Sequence, residues 1–291
     1  MTALTRPDST STFAKGVQSV KVDLTSKGAL TEALRGQDAL VITLSVTAPP
    51  DTHARLVEAA AAAGVPWILP NHWSHDTSGK IDTKLLEEMP YFKGQLLQNE
   101  YIASLGVSSY IAVSTGFWLD WSLAIPDAFG FDIGARKATF FDDGKAQLTV
   151  STLAQVGRAV AALLSLPVSS NGKGVSLSDY RNQEVYVGSF TASQEDMLES
   201  LLRVTGTSKE EWTIEYQSSE ERNLKGIEAM KQGDRVGFMR HLYSRLFYPE
   251  LQIGNLEKNH GLINEAIGLP KEDIDAATPS AVERSQGNPY R

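Results

Sequence analysis

Met1 to Arg6 (MTALTR) reads as a strand whose end carries chemistry, because Thr5 and Arg6 run straight into the turn residues Pro7 and Asp8. In dinucleotide folds an arginine at such a strand end, beside the adenine ribose, pairs with a 2′-phosphate and selects NADPH over NADH. Taken alone, Arg6 also reads as a surface arginine before a proline turn. His72, His75 and Asp76 (NHWSHD) place two imidazoles three residues apart, a spacing that converges on zinc when further ligands join them. There is no third histidine close by and no His-Glu-x-x-His helix, so no metal is assigned. Trp73, Trp118 and Trp121, with Phe117, either fill core or line an aromatic substrate pocket; their place on loops after strands supports the pocket. No Gly-x-Ser-x-Gly elbow raises a serine nucleophile. Glu87 with Glu88, and Asp142 with Asp143, read as exposed turns and receive no role.

These residues need elements to position them. Val17 to Asp23 alternates apolar and polar residues as a strand does, and Thr25 or Ser26 caps a helix over Gly28 to Arg35. Ala39 to Ser45 (ALVITLS) is a continuous apolar run, the pattern of a strand buried on both faces of a parallel sheet. A helix over His53 to Ala63 ends at Gly64, and Val65 to Pro70 is the next strand. Phe92 to Leu105 is a helix with Leu97, Tyr101 and Leu105 on one face, before a strand at Ser109 to Ser114. Right-handed crossovers then wrap helices onto both faces of one sheet, giving an α/β, doubly wound fold.

Beyond Phe117, strands at Lys137 to Asp142 and Gln147 to Val150 precede a helix whose Leu153, Val156, Val160 and Leu164 share a face. Glu184 to Phe190 is a further strand, followed by a capped helix from Ser193 to Gly206 and a long helical segment from Ser218 to Tyr248. The expected organisation is a Rossmann-like nucleotide-binding domain over 1–167 to which strand 184–190 returns, a smaller, mostly helical substrate lobe over 191–275, and a mobile tail over 276–291.

Composition bounds the partners. The 291 residues are 42% hydrophobic, enough for a sizeable core. No run approaches the roughly twenty apolar residues of a membrane-spanning helix, and no basic-then-apolar leader opens the chain, so no membrane partner is expected. Zero cysteines exclude thiol nucleophiles and fit a cytoplasmic setting. A net charge of −8 excludes a broad nucleic-acid surface and leaves room only for a small local basic pocket.

TALTRPDS, ALVITLS, GVPWILPNHWSHD, ASLGVSSYIAVSTGFW and TLAQVGRAVAALLSL resemble, across nearly the whole chain, the NmrA-like and isoflavone-reductase-like family of atypical short-chain reductases, in particular its fungal members. The resemblance implies NADP(H) as cofactor and a small-molecule substrate. It places Thr5 and Arg6, the loop Ser45, Val46 and Thr47, and Asn71 around the nucleotide, with Thr115, Gly116 and Phe117 as the wall beside the nicotinamide. It puts the loop with His72 and Trp73 at the substrate, where position on loops after strands also puts Trp118 and Trp121, and it places a proton-donating lysine close to Lys93, which stands about two positions from the aligned site. An ammonium there stabilises negative charge developing on a substrate oxygen. The Tyr-x-x-x-Lys pair of typical short-chain dehydrogenases is absent.

Family members ordinarily open with a strand, a Gly-x-x-Gly-x-x-Gly loop and a helix, and that unit has no counterpart here. Gly130 and Gly134 (GFDIG), and Gly172 and Gly174 (NGKG), read as ordinary loops. A strand of four or five buried apolar residues contributes on the order of 10 kcal/mol, comparable to a domain's whole net stability of about 5–15 kcal/mol. A truncated gene model or splice form, a fragment folded with partner help and a rearranged N-terminus all fit, with the first preferred. Three functions follow: an NADPH-dependent reductase of a small, aromatic or secondary-metabolite substrate, a non-catalytic nucleotide-sensing regulator, or a truncated form unable to bind cofactor. An exposed sheet edge would favour a homodimer.

Overall fold

The computed structural model of the chain describes residues 1–45, 47–170, 172, 174–288 and 290. Its first elements are β1 (Thr2–Thr5), β2 (Gln18–Lys21), α1 (Lys27–Leu34), β3 (Ala39–Val41), α2 (Thr52–Ala63), β4 (Trp67–Leu69), α3 (Thr83–Glu88), α4 (Pro90–Ser104) and β5 (Ser109–Ser114). Next come β6 (Phe117–Trp118), α5 (Leu119–Ser122), α6 (Pro126–Phe129), β7 (Phe131–Asp132), β8 (Lys137–Phe141), β9 (Leu148–Ser151) and α7 (Leu153–Ser165). The last are β10 (Gln183–Tyr186), β11 (Phe190–Ala192), α8 (Gln194–Thr205), β12 (Thr213–Gln217), α9 (Ser219–Lys231), α10 (Arg235–Leu246), α11 (Leu256–His260) and α12 (Ile274–Ser285). No helix among the described residues is long and apolar enough to cross a membrane.

Two compact units result. Unit 1 comprises Met1–His72, Lys93–Val113 and Ser178–Glu184; unit 2 comprises Trp73–Phe92, Ser114–Leu177 and Val185–Arg291. The chain enters unit 2 first at Trp73 and returns to unit 1 at Lys93 and again at Ser178.

In unit 1, β1 and β2 pair in parallel, as do β3 with β4 and β4 with β5. The strands form two sheets, β1-β2 and β10-β5-β4-β3, and no ladder among the described residues joins β1 to β3. In a doubly wound order of 3-2-1-4, that is the place of a central strand. One apolar core, with Leu30, Ile42, Val57, Ile68 and Ile102 fully or almost fully buried, still takes Leu4 of β1 against its edge. The expected strand over 39–45 pairs only through Val41, with one further bond from Ile42 N to Leu69 O. Beyond it, both backbone groups of Leu44 are held by the Asn71 side chain, which replaces the ladder. On α4, Leu97 and Tyr101 turn outward, and the buried side carries Phe92, Gln95, Asn99 and Ile102.

Unit 2 holds the sheets β11-β9-β6 and β12-β8-β7 around an aromatic core. Phe117 stacks on Tyr243 at 3.9 Å, and Phe129 meets both rings edge-on together with Phe247. The expected strand over 184–190 is interrupted at Gly188, whose N–H and carbonyl are taken by the Asn264 side chain. On α7 the buried side is Gln155, Ala159 and Leu163, while Leu153 and Leu164 are exposed. The long segment from Ser218 is two helices parted at Gly233, with Asp234 capping α10. They approach so closely that a Cβ on Gly226 would stand 2.6 Å from His241 N. Residues 276–291, expected as a mobile tail, contain most of α12. Its Thr278 hydroxyl pairs with that of Ser200 at 2.8 Å, and Asp275 accepts a two-point contact from Arg203.

Candidate functional site

Ligands of parallel α/β sheets bind beyond the carboxyl ends of the strands. In unit 1 the ends of β3 and β4 carry a connected polar cluster built on Asn71. Its Oδ1 accepts from Leu44 N at 3.0 Å and its Nδ2 donates to Leu44 O at 3.2 Å, so one amide clamps two strand ends together. Its own N–H donates to His53 Nε2 at 3.4 Å, and its carbonyl accepts from Gln95 Nε2 at 3.0 Å. His53 opens α2 and is buried, and its Nδ1 has no hydrogen-bond partner among the described residues. Burial pushes its pKa down to about 4, because a charged imidazole there would lose its hydration, so the ring is neutral near pH 7.

His72 sits next in the chain and is buried. Asn99 Nδ2 lies 3.4 Å from its Nδ1, and Glu184 Oε1 lies 3.2 Å from its Nε2. The Nε2–H tautomer satisfies both contacts: Nδ1 accepts from the amide and Nε2 donates to the carboxylate. Gln95 and Asn99 are one helical turn apart on the face of α4 that also buries Phe92 and Ile102.

The other residues of unit 1 expected at the nucleotide are exposed or half-buried. Thr5 ends β1, its carbonyl accepting from Val22 N. Arg6 has 70% of its side chain exposed and only a loose contact, 3.6 Å, to Asp8, so its guanidinium is available to an anion. Ser45 and Thr47 face solvent with their hydroxyls 2.9 Å apart, and Val46 lies outside the described residues. Lys93 is exposed on α4.

The other predicted residues lie in unit 2. Thr115 N and Gly116 N both donate to Ser74 O. Gly116 has φ +63, and a Cβ there would fall 1.9 Å from Thr149 O, so packing against β9 already demands glycine. Phe117 is buried under Tyr243, with His75 against its edge at 4.2 Å. Trp118 donates Nε1–H to Thr115 Oγ1 at 3.0 Å; Trp121 packs on the aromatic core, and Trp73 is half-buried. Asp76 accepts from Tyr186 OH at 3.0 Å and faces His260 Nε2 at 3.2 Å, so it ties β10 to α11. Among the described residues no three His, Asp or Glu side chains are placed to hold a metal ion.

Sequence reasoning assigned nothing to His53, Gln95, Asn99 and Glu184. A signal existed for two of them: amides at i and i+4, on a face flanked by Phe92 and Ile102 at helical spacing, mark a polar stripe that must be buried. Glu184 has no such signal, since 112 residues separate it from His72.

Against the dinucleotide that the resemblance implies, the fit is partial. Arg6 suits a 2′-phosphate, and the Ser45 and Thr47 hydroxyls suit a ribose. No glycine turn among the described residues joins a buried strand to a helix, so unit 1 shows no backbone cradle for a pyrophosphate.

Comparison with known proteins matches residues 1–167 to the NAD(P)H-binding family. The chain is 27% identical over 287 residues, 97% of its length and 90% of the relative's, to the oxidoreductase aprR of Aspergillus flavus. Its fold is similar to a structure of pinoresinol-lariciresinol and phenylcoumaran benzylic ether reductases, with a TM-score of 0.72 and 16% identity over 94% of this chain and 88% of that one. It is also similar to the Citrobacter sp. triphenylmethane reductase complexed with NADP(H), with a TM-score of 0.63 and 16% identity over 92% and 84% of the two chains. Matched over more than half its length, the chain belongs to the NAD(P)H-binding family and has the fold of the NmrA-like and isoflavone-reductase-like proteins.

Proposed function

We propose that the protein is an NADPH-dependent oxidoreductase that reduces a small aromatic or secondary-metabolite substrate. The observation that carries this reading is the Asn71 cluster: in this chain amides and an imidazole are gathered beside the carboxyl ends of β3 and β4, where a parallel sheet presents ligands. Arg6, with Thr5, Ser45, Val46, Thr47 and Asn71, is assigned to the nucleotide, and Thr115, Gly116 and Phe117 to the wall beside its nicotinamide. His72, Trp73, Trp118 and Trp121 are assigned to the substrate. A bound cofactor supplies the hydride. The chain's part is to hold the substrate and provide a proton, and Lys93 is the assigned donor. Because its ammonium is exposed, it exchanges protons with solvent between turnovers.

A second reading, a nucleotide-sensing protein without turnover, draws on α4. The buried side of that helix presents the neutral amides Gln95 and Asn99, while Lys93 faces solvent. A chain unable to hold the cofactor is the third, favoured by the want of a glycine turn among the described residues.

Fluorescence titration with NADPH and NADH, followed by NADPH oxidation at 340 nm with quinones and aromatic carbonyl compounds, separates the three. The reductase reading expects NADPH binding that Arg6→Ala weakens about tenfold with NADH little changed, and turnover that Lys93→Met abolishes. Binding without turnover on any acceptor supports the sensor. No binding of either nucleotide overturns both.

A further inference from the structure

Unit 2 contains a cavity of about 400 Å³, lined from α6, β7, β8, β12, α9 and α10, and none of the residues assigned to nucleotide or substrate lines it. Four cations, Lys137, Arg222, Lys225 and Arg240, face it with two carboxylates, Asp127 and Asp132. In a chain of net charge −8, that local excess of positive charge runs against the composition.

The carboxylates do not neutralise the cations evenly. Asp127 is already engaged at both oxygens, by Arg240 Nε at 2.8 Å and by the Tyr290 hydroxyl at 3.0 Å. Asp132 accepts from Ala135 N, inside its own turn. Arg222 is 5% exposed, and among the described residues its hydrogen-bond partners are neutral: Ser244 Oγ at 2.7 Å, Arg240 O at 3.3 Å and Asp127 O. The Phe141 ring covers one face of its guanidinium at 4.4 Å. No carboxylate among the described residues comes within ion-pair distance of it. Burial pushes its pKa down to about 10, with the attraction of Asp127 opposed by the repulsion of Arg240. Buried cations are ordinarily paired, and this one has no carboxylate partner among the described residues, in a cavity large enough to admit an anion.

Two more donors stand at the rim in exposed pairs that are weak and free to exchange, Lys137 with Glu215 at 2.9 Å and Lys225 with Glu221 at 3.7 Å. The floor is held by Gly130, at φ +84, where a Cβ would stand 2.2 Å from Thr139 O. Glycine there lets the end of α6 close onto β8 and so brings Asp127 to Arg222.

We propose that this cavity is an anion site that takes a small phosphate-bearing molecule, with Arg222 as the buried counter-charge and Lys225 and Lys137 closing on the phosphate oxygens from the rim. A dianion suits it better than a carboxylate, since it satisfies a guanidinium and two ammonium groups at once. The volume admits a small metabolite rather than a polymer.

The test is titration calorimetry of the full chain with inorganic pyrophosphate at constant ionic strength, beside citrate as a carboxylate of similar charge. Saturable pyrophosphate binding, weakened about tenfold or more by Lys225→Glu and by Lys137→Glu but unchanged by Arg6→Ala, is expected. Lys225 is exposed and the Lys137 side chain is 44% exposed, so these variants fold even where Arg222→Met does not. Absence of saturable binding in the natural chain, binding indifferent to both lysine variants, loss of binding in Arg6→Ala, or citrate binding as tight as pyrophosphate would each overturn the proposal.

Discussion

The two units solve the same problem with different materials. Unit 1 has short parallel strands in two separate sheets, an aliphatic core, and a buried polar cluster that clamps the strand ends. Unit 2 packs phenylalanine and tyrosine rings against one another and fastens its helices with ion pairs such as Arg245 to Asp82 at 2.5 Å. The contrast teaches where tolerance to change should lie. A ring nest loses large, indivisible areas when one member is removed, while a polar clamp is sensitive to protonation.

Phe129→Ala should therefore be the most damaging single change, about 3–5 kcal/mol by chemical denaturation, since Phe129 is fully buried among three rings. The comparison breaks if Leu30→Ala, at the heart of the unit 1 core, costs more.

Acid should act first on unit 1. His53 has its pKa lowered to about 4 in the folded chain, so between pH 6.5 and 4 the unfolded state binds the extra proton. Stability consequently falls as pH drops through that window, by about 3 kcal/mol when the whole shift is expressed. Denaturation midpoints measured from pH 7 to 4 should show this loss, and His53→Gln should flatten it. A loss of equal size in His53→Gln would move the acid sensitivity away from the Asn71 cluster.

What was legible in the sequence follows the same division. β5 at Ser109–Ser114 and α8 between Ser193 and Gly206 were readable because their signals are local: a β-branched apolar run, a cap and a closing glycine. That Thr5 closes a strand, and that Asn71 and Thr115 lie in the loops after strands, was readable from the strand and helix alternation. The outward turn of Leu97 and Tyr101 was not, because the face of α4 is chosen by partners for Gln95 and Asn99 that lie at Asn71 and His72. Nor was α12 readable, since its weak pattern is stabilised by Arg203 and Ser200, more than seventy residues earlier. The anion cavity draws on α6, β8, α9 and α10, and a net charge of −8 conceals it.

The smallest effects should come from the caps, and they sharpen the comparison at the level of single hydrogen bonds. In unit 1 the cap of α1 is one contact, Ser26 Oγ accepting from Ala29 N at 3.3 Å. In unit 2 the cap of α8 is reciprocal: Ser193 Oγ accepts from Asp196 N at 3.1 Å, while Asp196 Oδ2 accepts from Ser193 N at 2.8 Å. Ser193→Ala removes the acceptor for a backbone donor in a half-buried turn and should cost about 1 kcal/mol, and Ser26→Ala about half of that. Amide hydrogen exchange at Asp196 and Ala29 reads each loss where it occurs. If Ser26→Ala proves the costlier of the two, α1 depends on its cap more than on the burial of Leu30 and Leu34, and unit 1 is held by its polar contacts more than by its core.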